Sequence, residues 1–392
     1  MRVLVTGARA PACLEWSRLL RRAGCAVAVA DSTAVPLARF SSSAWYRERL
    51  PPADRDVHAY GEALLAAAKR FHADLILPTC EEALYIAHQK RRLERACPLF
   101  VSDFDLMARL HDKWSFAELA RDLPIHAPPT ERLETAAEVM EHAGRSAELV
   151  FKPVYSRFAA RTLIRPGPRA LGGIQPSARQ PWIAQEFVPG RELCSYGLWA
   201  DGALLAHACY HPKYRVGQGS GIYLDPVEHG PILQFAREFG GATGFTGQAG
   251  FDFIESAPGR LAVLECNPRA TSGIHLFHRQ HAELAAVLSR ADSPDRPRDP
   301  LLAAGTPRRL SLAMALFAAP RLRSLAGARE FARDWRRATD IVAAQDDRRP
   351  AIAQLLGLGE VYLRAMRRRC SPLAAATHDI AWDGASLGAQ PW

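Results

Sequence analysis

The run Leu261-Ala262-Val263-Leu264-Glu265-Cys266-Asn267-Pro268-Arg269 reads as an apolar strand that delivers a carboxylate, an amide and a guanidinium to one point. Upstream, Gly250-Phe251-Asp252-Phe253-Ile254 alternates as a half-buried strand does and carries a second carboxylate. Between them, Ser256-Ala257-Pro258-Gly259-Arg260 has the composition of a hairpin connection. Asp252 and Glu265 are therefore predicted on neighbouring strands. Two acids and an amide oxygen are hard ligands of the kind magnesium shares with phosphate oxygens, and arginine adds a planar fork matched to a phosphoryl group. An ordinary hairpin ending in an Asx-Pro turn has the same local spelling, so segments elsewhere must decide between the two.

Three upstream segments do so. Glu148-Leu149-Val150-Phe151-Lys152-Pro153-Val154 is an apolar strand that presents one ammonium before a proline ends it. Trp182 to Glu192 is a strand, a Pro189-Gly190 break and a second acid, and Leu110-His111-Asp112-Lys113-Trp114 supplies another lysine. In this order, with Asp252, Glu265, Asn267 and Arg269 behind them, they resemble the ATP-grasp superfamily. The metal segment is similar to that of carbamoyl-phosphate synthetases. The resemblance implies Lys113 and Lys152 on nucleotide phosphates, adenine against the backbone of Glu186, Phe187 and Val188, and Glu192 on the ribose hydroxyls. It also implies Asp252, Glu265 and Asn267 on magnesium, or manganese in its place, and Arg269 as a catalytic residue on an acylphosphate.

The implied reaction activates a small-molecule carboxylate with the γ-phosphoryl of ATP, releases ADP and phosphate, and joins the acyl group to an amine or other nucleophile. An enzyme that uses bicarbonate and forms carboxyphosphate or carbamoyl phosphate shares the same nucleotide site. A nucleotide-binding partner protein that has lost the chemistry is the alternative outside enzymes. The implied fold is α/β plus α+β. A Rossmann-like pre-ATP-grasp domain spans residues 1–110, an ATP-grasp domain of two α+β halves spans 111–285, and an arginine-rich, mostly helical extension spans 286–392.

The sequence departs from the family pattern after the second lysine. Many members place a glycine-serine-rich loop there to cradle phosphate with backbone N–H groups. Here Tyr155-Ser156-Arg157-Phe158-Ala159-Ala160-Arg161 has no glycine, so either the side chains of Ser156 and Arg157 grip phosphate or the loop is simply a different one. A second loop, Ala208 to Gly221, holds His211, Lys213, Arg215 and three glycines. It reads as a lid closing over anionic groups, with Arg215 as a second catalytic candidate, or as a solvated hairpin tip. His275 and His278 follow Arg269 closely, yet a lone histidine is more often structural.

The first hundred residues alternate strands and helices. Arg2 to Gly7 and Ala26 to Asp31 flank a helix over Ala12 to Ala23, a β-α-β unit with an acid at the second strand's tip. A dinucleotide site would place Asp31 on ribose, but Gly7-Ala8-Arg9-Ala10-Pro11 lacks G-x-G-x-x-G; the unit better resembles the pre-ATP-grasp domain, and that resemblance implies a module that frames the acceptor site. Thr79 and Glu81 follow the strand Leu75-Ile76-Leu77, where they either touch substrate or cap a helix.

Eight cysteines form no C-x-x-C pair, which argues against a zinc site or disulfide framework and for free thiols in a reducing cytoplasm. Neither an apolar leader nor a spanning segment is evident, so a cytoplasmic location is expected. Residues 301–370 contain 14 Arg and no Lys against six Asp and Glu, an excess of eight in a chain of net +9. Helices are expected over Ser311 to Phe317, Phe331 to Val342 and Ile352 to Met366. An acidic carrier protein or an anionic membrane surface suits such a region, as do solvated arginines. Nucleic acid is not expected without a recognisable motif, and a homodimer is expected as the assembly.

Overall fold

The computed structural model describes residues 1–157, 161–217, 219, 221–257, 259–291, 293, 298–317 and 324–388. Parts of three expected loops lie outside them: Phe158 to Ala160, Gln218 with Ser220, and Pro258. The first sheet holds β1 (Arg2–Thr6), β2 (Ala26–Asp31), β3 (Tyr46–Arg49) and β4 (Leu75–Leu77), all parallel, in the order β3-β2-β1-β4. Val3, Leu4, Val5, Val27 and Ala28 are fully buried, as continuous apolar strands covered on both faces should be. The crossover helix Pro11–Arg22 starts with proline and ends with Arg21 and Arg22, which suits its dipole. Gly7, with φ +75, passes so close to β4's end that a Cβ there would meet Cys80 Cβ at 2.8 Å.

A small antiparallel sheet follows, ordered β5-β8-β6-β7, from β5 (Thr130–Leu133), β6 (Leu149–Pro153), β7 (Leu163–Ile164) and β8 (Trp182–Glu186). Its satellite core includes Leu149, Phe151, Leu171 and Trp182. The largest sheet is built from β9 (Arg191–Ala200), β10 (Ala203–Arg215), β11 (Gly221–Pro226), β12 (Gly247–Ala257) and β13 (Arg260–Asn267). Phe235 and Phe239 of helix Gly230–Thr243 pack edge-on against Phe251, while Trp199 packs against Phe239 and Phe251. This aromatic core fixes β12 and holds the adjacent β13 in register beside it.

Beyond residue 286 the chain does more than add helices. β14 (Leu301–Leu302) pairs with β10, β15 (Arg308–Arg309) with β11, and β16 (Thr339–Asp340) with β15. The helix expected over Phe331 to Val342 runs instead over Leu325–Arg337. Ser324 caps its start by accepting from the Gly327 N–H, and Ala338 turns extended so that β16 can join the sheet. Ser311–Phe317 is helical as expected, and the last long helix spans Arg349–Arg368. Buried ion pairs fasten this region to the first sheet's helix: Arg18 to Asp347 at 2.9 Å and Arg308 to Glu15 at 3.3 Å. All eight cysteines are free thiols. Among the described residues no helix is long and apolar enough to cross a membrane.

Candidate active site

β12 and β13 pair antiparallel with Asp252 opposite Glu265 and Gly250 opposite Asn267, as the hairpin reading requires. Two half-buried carboxylates thus share one face of the sheet. Lys113 reaches them from the first turn of helix Lys113–Leu119, whose N-cap Asp112 accepts from the Ser115 N–H at 2.8 Å. Its Nζ stands 3.4 Å from Glu265 Oε2 and donates to the Ser156 carbonyl at 2.9 Å. Lys152, on β6, is also buried. Burial brings its pKa down to about 8 although the charge of Glu265 holds it up.

The two acids respond oppositely to this setting. Burial and the charge of Glu265 push Asp252 above the usual carboxylate range. Burial would raise Glu265 too, but Lys113 and Lys152 outweigh it and hold that carboxyl low. Asn267 Nδ2 lies at the long distance of 3.5 Å from Glu265 Oε1, and Arg269 Nη2 donates to Asn267 Oδ1 at 3.1 Å. Among the described residues no group of three or more His, Cys, Asp or Glu gathers as a metal cluster. Asp252, Glu265 and Asn267 could offer a cation two carboxylates and an amide, which would leave phosphate oxygens or water to complete its shell.

A second charged node lies alongside. Glu81, just beyond β4, pairs with Arg269 Nε at 2.8 Å through one oxygen and with Arg157 Nε at 2.8 Å through the other. Burial would raise its pKa, yet the guanidinium charges of Arg157 and Arg269 carry it well below the usual range. His111 is buried nearby, its pKa lowered to about 3 by burial. Its ring stacks on Tyr155 with centroids 5.9 Å apart, and Tyr155 donates to Asp112 at 2.9 Å. The tail closes this wall. Trp382 packs edge-on against Tyr155 and Phe104, and its carbonyl accepts from Arg157 Nη2 at 2.7 Å.

No family model and no curated protein matches the sequence. Solved structures do match. An N5-carboxyaminoimidazole synthetase from Staphylococcus aureus complexed with ADP has a TM-score of 0.60 at 11% identity, covering 81% of this chain and 85% of that one. An L-amino acid ligase from Bacillus licheniformis has a TM-score of 0.57 at 15% identity, with 75% of each chain covered. The biotin carboxylase domain of Hydrogenobacter thermophilus 2-oxoglutarate carboxylase, with MgADP, ADP and bicarbonate, has a TM-score of 0.56 at 14% identity over 76% of this chain and 71% of that one. These neighbours are ATP-grasp enzymes. The chain has the ATP-grasp fold.

Most of the remaining sequence-derived residues lie along and just after β8 and on β9 and β10. The Glu186 N–H donates to the Pro129 carbonyl at 2.9 Å and the Phe187 N–H to the Glu148 carbonyl at 2.8 Å. The Val188 N–H has no hydrogen-bond partner among the described residues. Glu192 and Arg215, expected on ribose and on an anionic intermediate, form an ion pair with each other, and Arg215 Nη1 donates to the Gly219 carbonyl at 2.8 Å. Lys213 turns instead to helix Leu325–Arg337, 2.7 Å from Asp334 and 2.9 Å from Glu330, which removes one cation from the expected lid. The Ser156 carbonyl holds Lys113, so the contact found for this residue is made by its backbone.

Other candidates are engaged within the protein. Arg9 spans Asp31 and Asp379 at 2.7 and 2.6 Å, so Asp31 is engaged where a dinucleotide would need it. Thr79 donates its hydroxyl to the Thr6 carbonyl at 2.6 Å, tying β4 to β1, and His275 sits 2.9 Å from Glu15 in the core. Sequence reasoning assigned no role to His111 or Trp382. The position of His111 two residues before Lys113 was a usable signal, whereas Trp382 had none.

Proposed function

We propose that this protein is an ATP-dependent ligase that transfers the γ-phosphoryl of ATP to a small-molecule carboxylate, releasing ADP, and passes the acyl group of the acylphosphate to an amine or other nucleophile, releasing phosphate. The observation that carries this reading is the register of β12 and β13, which sets Asp252 against Glu265 with Lys113 and Lys152 converging on the same face. Phosphoryl transfer asks a protein chiefly for positioning and charge neutralisation, and this constellation supplies both. Asp252, Glu265 and Asn267 would hold magnesium, which contributes Lewis-acid polarisation of phosphoryl oxygens. Lys113 and Lys152 neutralise nucleotide phosphates. The Val188 N–H and neighbouring carbonyls receive adenine, and Glu192, once released by Arg215, receives the ribose.

The acceptor carboxylate fits the node beside the metal site. Arg157 and Arg269 share the single carboxylate of Glu81, which leaves one positive charge uncompensated where an anionic substrate would sit. Arg269 is linked to Asn267 as well, so it reaches from the acceptor to the phosphoryl group in flight. The L-amino acid ligase is a ligase by name and the carboxylase domain binds bicarbonate beside MgADP, and both supports stand on the same fold. Replacing Glu265→Ala should abolish magnesium-dependent ADP release with folding intact by circular dichroism, because only the charged complex loses a ligand. A folded, fully active Glu265→Ala protein would overturn the assignment.

A further inference from the structure

The helix Arg349–Arg368 buries little of itself: Pro350, Ala353 and Ala365 face inward, and Glu360 on that side accepts from the Ala34 and Val35 N–H groups at 3.1 and 2.9 Å. The opposite face carries Ile352, Leu355, Leu356, Tyr362, Leu363 and Met366, which are 53–70% exposed. At 100° per residue these six side chains fall on one continuous stripe. Scattered exposed leucines need no explanation, but a contiguous apolar stripe on a single helix marks a surface that something covers.

Charge decides what covers it. Arg348 and Arg349 stand at one end of the helix and Arg367, Arg368 and Arg369 at the other. Arg368 leans on His378, and the other four have no acidic partner among the described residues. The helix's one acid, Glu360, is taken by Arg364 at 2.6 Å and by the two backbone donors. A second copy of the helix, laid parallel or antiparallel, would set arginines against arginines with no acid between them. The first turn also has no acidic residue, so its arginines add to the positive end of the dipole and favour an anion there. An anionic lipid surface meets both demands, with the leucines at the acyl boundary, the arginines among headgroups and Tyr362 at the interface.

We infer that helix Arg349–Arg368 lies in the plane of an anionic lipid surface and docks the enzyme there. The inference uses none of the residues assigned to catalysis. It is tested by co-sedimenting the full chain with vesicles of phosphatidylcholine alone or with phosphatidylglycerol, at low and high salt, and by sedimentation velocity without lipid. The wild type should partition onto the anionic vesicles and only weakly onto neutral ones, and should be released as salt shortens the screening length from about 10 Å to about 3 Å. Leu355→Asp/Leu363→Asp should lower partitioning by about 100-fold, while Arg367→Ala/Arg368→Ala/Arg369→Ala should remove the anionic preference and the salt sensitivity. Circular dichroism should show both variants folded. Absence of wild-type binding to anionic vesicles, or equal binding by a folded Leu355→Asp/Leu363→Asp protein, overturns the inference. A dimer that this double variant splits, without vesicle binding by the wild type, assigns the face to a second copy and overturns it too.

Discussion

At the scale of single residues, the informative contrast is between Asp252 and Glu265. They share one face of a hairpin, yet burial and mutual repulsion raise the first while two lysines hold down the second. That pair was legible in the sequence because its two strands adjoin along the chain. Glu81 and Trp382 were harder: Arg269 meets Glu81 across 188 residues and Arg157 meets Trp382 across 225, and no local pattern encodes such contacts. The glycine-free loop offers Arg157 to phosphate as one of two readings, and in the structure Arg157 pairs with Glu81 beside Arg269. Arg157→Ala should therefore raise the KM for the carboxylate by about 10–100-fold, the worth of one charge-assisted hydrogen bond, with little change in the KM for ATP. Arg157→Lys should restore only part, since an ammonium lacks the fork. A rise confined to the KM for ATP would return Arg157 to the phosphates.

Some of the longer elements were visible in the sequence because burial patterns their side chains. The apolar runs of β1 and β2 and the long helix Arg349–Arg368 are examples. The two-residue strands β14, β15 and β16 were not, because two residues have no period and their pairing is dictated by the edge they meet. These strands bring Arg308 to Glu15 on the first crossover helix, beside His275. Burial would raise the Glu15 carboxyl, but Arg308 and His275 bring it from its ordinary 4.5 down to about 2. A carboxyl with a depressed folded pKa stabilises fully above its unfolded value and loses that contribution as pH falls through the folded one. Glu15→Gln should thus be less stable than wild type at pH 7 by about 3 kcal/mol. The gap should close between about pH 4.5 and 2 in denaturant titrations. A gap independent of pH would mean that Glu15 acts by packing alone.

At the scale of the whole molecule, one division of labour accounts for the arrangement. The large sheet carries the acids, the small sheet and the helix Lys113–Leu119 carry the lysines, and the first sheet supplies Glu81 to the proposed acceptor side. The tail after Arg368 returns to wall that side with Trp382. The three regions expected from sequence remain a proposal as domains. Nucleotide, metal and carboxylate are proposed to meet where Lys113 and Lys152 approach Asp252 and Glu265. The most direct test is to incubate the protein with ATP, magnesium and pools of carboxylic acids and amines and to identify the nucleotide product. Attack by a carboxylate on the γ-phosphorus gives ADP and phosphate, which should appear only with a competent acid and vanish in Glu265→Ala. AMP and pyrophosphate formed with a competent substrate pair would contradict the account.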